Sequence, residues 1–245
     1  MASLDLKQDR IYFIVVWLVT YALWTIFFLM VGEHASRLPS IDLSLPLDHS
    51  LPLAPDFVWL YVLSYIYPML PLFCTRDWHR FSQGLIAFMI ANFSAFIVYM
   101  ALPVFMQQPA LGTSLAERCL STIYAHDFVP SANKLPSMHV IAAWLICFMC
   151  WKQGLSKLTE WMIGIVAVLI TISTLLTKQH LIVDVITGIA WASACWYAAK
   201  WLQVRFASEH GSARATFGRL ATKALPAMAI SGAALTVAAY WINAG

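Results

Sequence analysis

Long apolar runs separated by short polar stretches extend along most of the chain. The first, from Ile11 to Val31, is long enough to cross a bilayer, because a helix needs about 20 residues to span the hydrocarbon core. Pro68 and Pro71 fall within the second run and are expected to kink it, which a membrane helix tolerates. The pattern predicts an all-α fold, a polytopic membrane helix bundle with six core transmembrane helices. The predicted spans are residues 11–31, 57–74, 83–105, 136–151, 160–177 and 181–202.

The C-terminal part divides into two segments after residue 204. Residues 205–223 are basic and are expected on the cytoplasmic side. Residues 224–245 are apolar and rich in Ala and Gly, so both an extra transmembrane helix and a helix lying in the interface stay open. The predicted organisation is one transmembrane domain over residues 1–204 followed by these two segments.

Composition agrees with a membrane protein. Hydrophobic residues make up 61% of the chain and charged residues only 11%, against about 25% charged in a soluble domain. The net charge of +3 gives no basis for a nucleic-acid partner. Cys147 and Cys150 lie three residues apart, but no second pair completes a four-ligand site, and the carboxylates are scattered, so we expect no metal.

The positive charges predict an orientation. With the N-terminus inside, eleven of the 15 Lys and Arg residues fall on the cytoplasmic side. The two most polar stretches between spans then face the opposite side together. The four cations on that side are Arg37, Arg118, Lys134 and Lys178.

The first of these polar stretches is Thr177–Gly188, between the fifth and sixth spans. His180 and Asp184 are four residues apart and share one face of a helix. A carboxylate beside an imidazole fixes its tautomer and raises its basicity, as a catalytic histidine requires. Lys178 adds a cation, and Gly188 indicates that the sixth span packs closely against a neighbour.

The second stretch precedes the fourth span. Pro136 suits the first turn of a helix, so Ser137 and His139 would lie at a helix N-terminus, where free N–H groups favour anions. Lys134 lies just before it. Together the two stretches supply two histidines, a carboxylate and two cations, the set that phosphoryl transfer through a phosphohistidine needs without a metal or another cofactor.

At these residues the chain resembles a known family. Pro136-Ser137-Met138-His139 is similar to the Pro-Ser-x-His element of the type 2 phosphatidic acid phosphatase (PAP2) superfamily, and His180 with Asp184 is similar to its His-x-x-x-Asp element. The resemblance covers roughly residues 55–200. It implies that His180 is the nucleophile, Asp184 its orienting partner and His139 the general acid, with Ser137 contacting phosphate.

The chain also departs from the family pattern. The family's first element carries cations near the outer end of the third span, whereas residues 101–109 contain none. Ser173-Thr174 stands where the family has Ser-Arg, so both arginines that would hold phosphate are missing. Lys178 and Lys134 are the replacements that the chain offers, with Gln107 and Gln108 as neutral donors. These features resemble the branch that contains inositol phosphorylceramide synthase.

Several functions follow as expectations. We expect an integral membrane lipid phosphatase that cleaves a lipid phosphoester or pyrophosphate at the non-cytoplasmic face, most simply of a bacterial inner membrane. A lipid head-group phosphotransferase is the alternative within the enzyme class. A lipid phosphate transporter, or an electron carrier with His139 and His180 as haem ligands, are the alternatives from other classes. The expected partners are a phosphorylated lipid and the surrounding membrane lipids; the oligomeric state is not predicted.

Overall fold

The computed structural model describes residues 8–76, 78–127 and 131–210. Within these ranges most of the chain is helical, and there are two strands of two residues each. Short 3-10 turns at Pro55–Phe57 and Tyr67–Met69 flank the third helix. The helices are α1 Gln8–Ser36, α2 Pro46–Ser50, α3 Val58–Ile66, α4 Pro71–Cys74, α5 Trp78–Ala101, α6 Leu115–His126, α7 Met138–Cys150, α8 Lys157–Leu176 and α9 Ile182–His210; the strands are β1 Ile41–Asp42 and β2 Val104–Phe105.

The predicted all-α membrane fold is confirmed. Among the described residues, four helices are long and apolar enough to cross a membrane, namely α1, α5, α8 and α9. The other two predicted spans coincide with shorter helical segments, α3 to α4 and the apolar helix α7, so the count of six is not established by length. Helix α9 extends to His210 and so includes the start of the predicted basic segment 205–223. The rest of that segment and residues 224–245 lie outside the described ranges.

The second predicted span is broken where its prolines fall. Pro68 lies within the 3-10 turn Tyr67–Met69, and Pro71 begins α4. Proline lacks an N–H and its ring clashes with the preceding helical turn, so a straight helix cannot continue through both positions. The α-helix is therefore interrupted by a 3-10 turn at the prolines, where the sequence predicted a kink.

The bundle is built around α5, α7 and α9, which pack against one another. Helix α8 covers α7 and α3, while α1 packs on α5 and α4. Where α1 crosses α5, the aromatic side chains of Trp17, Phe81 and Phe88 are buried together. Helix α7 is buried along most of its length, so the histidine at its start is carried by the most enclosed helix of the bundle.

Several elements between the spans were not predicted, namely α2, α6 and the two strands. Residues 106–135, a loop by their sequence, contain the helix α6, whose N-terminus is capped by Ser114 and Glu117 in a capping box. That pattern is visible in the sequence and could have revealed the helix. The strands β1 and β2 pair in parallel, and Val104 also bridges to Asn133, which fixes the chain leading into α7.

Gly188 lies at the contact between α9 and the start of α7. A Cβ atom at this position would be 3.1 Å from the Ser137 carbonyl oxygen and 3.1 Å from the Val140 Cβ. The Ser137 oxygen belongs to the α7 backbone and already accepts a hydrogen bond from the Ile141 N–H at 2.9 Å, so it cannot move freely. The close packing that the sequence indicated at this glycine is therefore present.

Gly188→Ala is expected to force α9 away from α7. The melting temperature should fall, and any turnover should decrease several-fold. Gly164→Ala is the matched control, because a Cβ there has nothing within 4 Å. Replacing glycine inside a helix should by itself stabilise by about 0.5–1 kcal/mol. Thermal unfolding of both variants measures the difference; equal behaviour would mean that the contact is not restrictive.

Candidate active site

His180 and Asp184 form a buried pair at the junction of α8 and α9. The His180 Nδ1 lies 3.3 Å from the Asp184 Oδ2, and the two side chains are 5% and 0% exposed. The same carboxylate oxygen accepts a hydrogen bond from the Leu181 N–H at 2.9 Å. Burial lowers the pKa of His180 below its ordinary value, whereas the hydrogen bond and the charge of Asp184 raise it. Because Nδ1 faces the carboxylate, Nε2 is the nitrogen available for chemistry.

The end of α8 aims His180 back into the bundle. Lys178 adopts a left-handed backbone conformation with φ of 52°, which reverses the chain direction. The N–H groups of Gln179 and His180 both donate to the carbonyl oxygen of Thr174, at 3.0 and 3.1 Å. A left-handed residue followed by such backbonding is a common helix C-cap, although glycine is the usual residue there. The turn returns His180 over the last turn of α8.

His139, in the first turn of α7, meets His180 from the other side. The His139 Nδ1 and His180 Nε2 lie 3.4 Å apart. On the opposite edge of its ring, the His139 Nε2 lies 3.0 Å from the Tyr61 hydroxyl. The ring also contacts those of Tyr61 and Tyr65, with centroids 4.8 and 5.9 Å away. The structure therefore brings together the two histidines that the sequence singled out.

Ser137 holds the two motifs in register. Its hydroxyl oxygen caps α7 by accepting the Val140 N–H at 3.4 Å, and its own N–H donates to the Asp184 carbonyl oxygen at 3.1 Å. The preceding carbonyl, of Pro136, accepts a hydrogen bond from Tyr99 on α5 at 2.7 Å. Ser137 is fully buried, and none of its described hydrogen bonds uses the hydroxyl proton. That proton can be donated to an anion next to the histidines.

Lys134 is buried close to the histidine pair. Its side chain is 3% exposed, and its ammonium lies 3.4 Å from the Asp127 carboxylate. Asp127 also accepts a hydrogen bond from the Gln108 amide at 2.9 Å. The charge of Lys134 opposes protonation of His180 and contributes to lowering its pKa, after the larger effect of burial. Lys134 is thus a cation within electrostatic reach of the nucleophile position.

The structure places Lys178 elsewhere. Its ammonium donates to the carbonyl oxygens of Asp48 and Leu51, at 2.8 and 2.6 Å, in the segment around α2. The Asp48 carboxylate in turn accepts the Ile182 N–H at 2.8 Å. These contacts tie the α2 segment to the turn between α8 and α9. In this arrangement Lys178 holds a loop, and its ammonium is not directed to the histidines.

A cavity of about 350 Å³ reaches His139 from the side of the bundle. Its walls come from α1, α3, α6 and α7, and aromatic side chains dominate them. Tyr61 and Tyr65 lie on one side, Tyr21 and Trp24 on the other. His180 is not among the lining residues, so His139 separates it from the cavity.

Sequence reasoning missed several residues of this site. Tyr61 touches His139 although 78 positions separate them, and no motif marks it. Asp48 looks like an ordinary loop carboxylate, but it is buried and anchors the start of α9. Gln179 adjoins His180 and carries an Nε2 that is buried without a hydrogen-bond partner among the described residues, which makes it a further donor candidate.

The side chains gathered at this site are suited to nucleophilic and acid–base chemistry. Among the residues that the structure describes, no three His, Cys, Asp or Glu side chains are grouped as metal ligands would be. Two imidazoles in contact, one oriented by a buried carboxylate, are groups that can act as a nucleophile and a proton donor. Lys134 and the Ser137 hydroxyl are groups that can offer charge and a hydrogen bond to an anion.

The fold is that of a polytopic membrane protein, and it encloses two histidines and a carboxylate in contact with one another. The model of the PAP2 superfamily matches residues 47–198, which contain both histidine motifs. The chain belongs to the PAP2 superfamily, and this membership supports a phosphatase-like function. Neither a curated protein nor a solved structure matches the chain significantly.

Proposed function

We propose that this protein is a membrane phosphatase that cleaves a lipid phosphoester or pyrophosphate through a phosphohistidine on His180. The observation that carries the proposal is the chain of contacts from Asp184 through His180 to His139. One histidine has a carboxylate to orient it, and the other has none, so the environments of the two rings assign them different roles.

In the first step, the His180 Nε2 attacks phosphorus and the bond to the lipid oxygen breaks. His139 donates a proton to that oxygen as it leaves, and Asp184 stabilises the charge that forms on the His180 ring. In the second step, His139 removes a proton from water, which attacks phosphorus, and inorganic phosphate leaves. His180 and His139 return to their starting protonation states.

Substrate binding must separate the two rings. Attack requires about 3–3.5 Å between nitrogen and phosphorus, and the leaving oxygen needs a further hydrogen bond of about 2.7–3.2 Å to the acid. The observed 3.4 Å between the two nitrogens is too short for both. His180 is held by Asp184 within a buried turn, whereas His139 is partly exposed and borders the cavity. We therefore expect His139 and Tyr61 to move.

For the phosphate oxygens, we propose Lys134 and the Ser137 hydroxyl as the principal contacts. Lys134 is buried near the histidines, and a desolvated cation stabilises a developing anion more strongly than an exposed one. Lys178 reaches phosphate only by releasing the carbonyl oxygens of Asp48 and Leu51, so we assign it chiefly to holding the α2 segment.

Exchanging each lysine for methionine should separate these roles. Lys134→Met is expected to lower kcat/KM at least about tenfold, because a charge-assisted contact to the transition state is lost. Lys178→Met is expected to lower stability by about 1–3 kcal/mol through its lost hydrogen bonds, with a smaller effect on turnover. Steady-state kinetics and thermal unfolding measure both. Lys157→Met, at the exposed start of α8, is the control; a larger kinetic loss in Lys178→Met than in Lys134→Met would contradict the assignment.

A lipid head-group phosphotransferase of the inositol phosphorylceramide synthase type is the second candidate. The departures from the family pattern favour it, because residues 101–109 and Ser173-Thr174 lack the cations of the family's phosphate-holding elements. We also propose that the site lies at the non-cytoplasmic face, on the strength of the charge asymmetry along the sequence.

A substrate panel with the purified protein tests the proposal. It comprises phosphatidic acid, phosphatidylglycerol phosphate, a polyprenyl pyrophosphate and a ceramide phosphate, each with and without an added alcohol such as inositol. Release of inorganic phosphate is the expected result for a phosphatase, and a new phosphodiester lipid identifies a transferase. Failure of every substrate to react would contradict both.

A further inference from the structure

The cavity beside His139 lies between α1 and α3. Tyr61 and Tyr65 bring the α3 wall to the histidine, and the same wall continues to Pro68. There the Trp17 indole N–H donates to the Pro68 carbonyl oxygen at 2.8 Å and closes the space between the two segments. In the proposed orientation the cavity therefore descends from the reaction centre towards the middle of the membrane.

Ser64 is an exception among the hydroxyl groups of the membrane helices. Thr20, Thr25, Ser94 and Thr171 each donate to the carbonyl oxygen one turn earlier, at 2.7–2.9 Å. Such backbonding is the usual way to satisfy a hydroxyl in an apolar helix. Ser64 is 8% exposed, lines the cavity, and its Oγ has no hydrogen-bond partner among the described residues.

Trp24 carries a second buried donor of this kind. The indole N–H groups of Trp17, Trp144 and Trp191 donate to the Pro68 carbonyl and to hydroxyls of Thr171 and Ser94, respectively. Trp24 lines the cavity on the α1 side, and its buried Nε1 has no partner in the part of the chain that the structure describes. Leaving a buried donor unpaired costs free energy, so two of them on one cavity point to an acceptor that this space receives.

The acceptor is neutral rather than anionic. Among the described residues, no Lys or Arg lines the cavity, whereas the acidic Asp127 does, and aromatic and aliphatic side chains form most of its wall. Such a wall accommodates an uncharged oxygen that is attached to a hydrocarbon chain. In lipids this description fits the carbonyl oxygen of an acyl linkage.

We propose that this cavity binds the acyl linkage of the lipid substrate, with the Trp24 indole N–H and the Ser64 hydroxyl donating hydrogen bonds to an ester or amide carbonyl. The inference rests on the proposed function, since the phosphate of the same lipid would lie at His139. Ser64 follows Tyr61 by about one helical turn, or about 5 Å, and a few bonds separate phosphate from the nearest acyl carbonyl. Polyprenyl phosphates, which have no carbonyl, would then be poor substrates.

Trp24 also lies outside residues 47–198, the range that the family model matches. Helix α1 therefore contributes one half of this recognition from a part of the chain that the family model does not cover. The chemistry would be shared with the family, whereas the choice of lipid would come partly from α1.

A comparison of ester and ether lipids tests the proposal. Phosphatidic acid, its dialkyl ether analogue of the same chain length, a ceramide phosphate and a polyprenyl phosphate are offered to the full-length protein, and free phosphate is measured. The variants are Trp24→Phe, Ser64→Ala and the double variant. Trp161→Phe and Ser193→Ala are matched controls, because Trp161 is exposed and Ser193 bonds back to the Ile189 carbonyl oxygen.

The wild type is expected to prefer one or both carbonyl-containing lipids over the ether and polyprenyl lipids at least about tenfold in kcat/KM. The double variant should lose about tenfold on the preferred lipid and at most twofold on the ether lipid, so that the preference disappears. Comparing phosphatidic acid, an ester, with the ceramide phosphate, an amide, identifies which acyl linkage is bound. Equal losses on ester and ether lipids, or a wild type without preference, would overturn the proposal while leaving the phosphatase activity in place.

A binding measurement tests this proposal independently of the proposed phosphatase activity. The same lipids are titrated against the His180→Gln protein and the bound fraction is measured by native mass spectrometry, so the preference is read without turnover. Lipids with a carbonyl should bind more tightly, and the Trp24→Phe and Ser64→Ala exchanges should remove this preference. That result supports binding of the acyl linkage in the cavity even if the wild type turns over none of these lipids. Equal binding of ester and ether lipids refutes it.

Discussion

Replacing His180 by glutamine is expected to reduce lipid phosphate hydrolysis by at least about 10⁴-fold. The side chain is the nitrogen nucleophile of the proposed route, and glutamine fills similar space but cannot form a phosphorylated intermediate. In the wild type, brief incubation with a lipid carrying radioactive phosphate should label the protein. The label should be lost in acid and retained in alkali, as expected for a phosphorus–nitrogen bond, and should be absent from His180→Gln.

His79→Gln is the matched control, because His79 is an exposed histidine at the opposite end of the bundle. It should retain wild-type turnover and labelling. The experiment also separates the classes of function that the sequence left open. A transporter would move lipid phosphate without turnover and would continue to do so in His180→Gln. An electron carrier with the two histidines as haem ligands would bind haem and would show no phosphate label.

The sequence was sufficient to predict the long membrane helices and the central pair of motifs. Apolar runs of about 20 residues have few structural alternatives in a membrane, because their backbone groups must be satisfied internally. Helix periodicity placed Asp184 on the face of His180, and charge asymmetry placed His139 at the same end. The observed 3.3 and 3.4 Å contacts agree with that reasoning.

The long-range contacts could not be predicted in the same way. Tyr61 touches His139 because α3 packs against α7 and α8, and no sequence pattern encodes that arrangement. Lys178 is the clearer example, since its spacing from His180 indicated a phosphate contact. Its left-handed backbone turns the side chain towards Asp48, and two carbonyl oxygens hold the ammonium there. A cation near a motif in sequence is therefore weaker support for a role than the direction of its backbone.

Replacing His139 by glutamine should give a loss that depends on the leaving group. With a lipid substrate the leaving oxygen is that of an alcohol, which needs a proton as the bond breaks, so we expect turnover to fall by about 10²–10⁴-fold. With a nitrophenyl phosphate ester the leaving phenolate is stable without that proton, and formation of phospho-His180 should fall less than about tenfold. The amide oxygen of the introduced glutamine can still accept a hydrogen bond from the Tyr61 hydroxyl, which preserves the other contact of this side chain.

The second half of the reaction makes this prediction sharper. Because His139 also removes the proton from water, the variant should release one equivalent of nitrophenol rapidly and then stall with phosphate attached to His180. A rapid-mixing measurement of nitrophenol, together with the labelling experiment, would detect this burst, and His79→Gln should behave as the wild type. Equal losses on the lipid and the nitrophenyl ester, without a burst, would show that His139 only supports the position of His180. The proton donor would then have to be sought among the groups that line the cavity, with Tyr61 the first to replace.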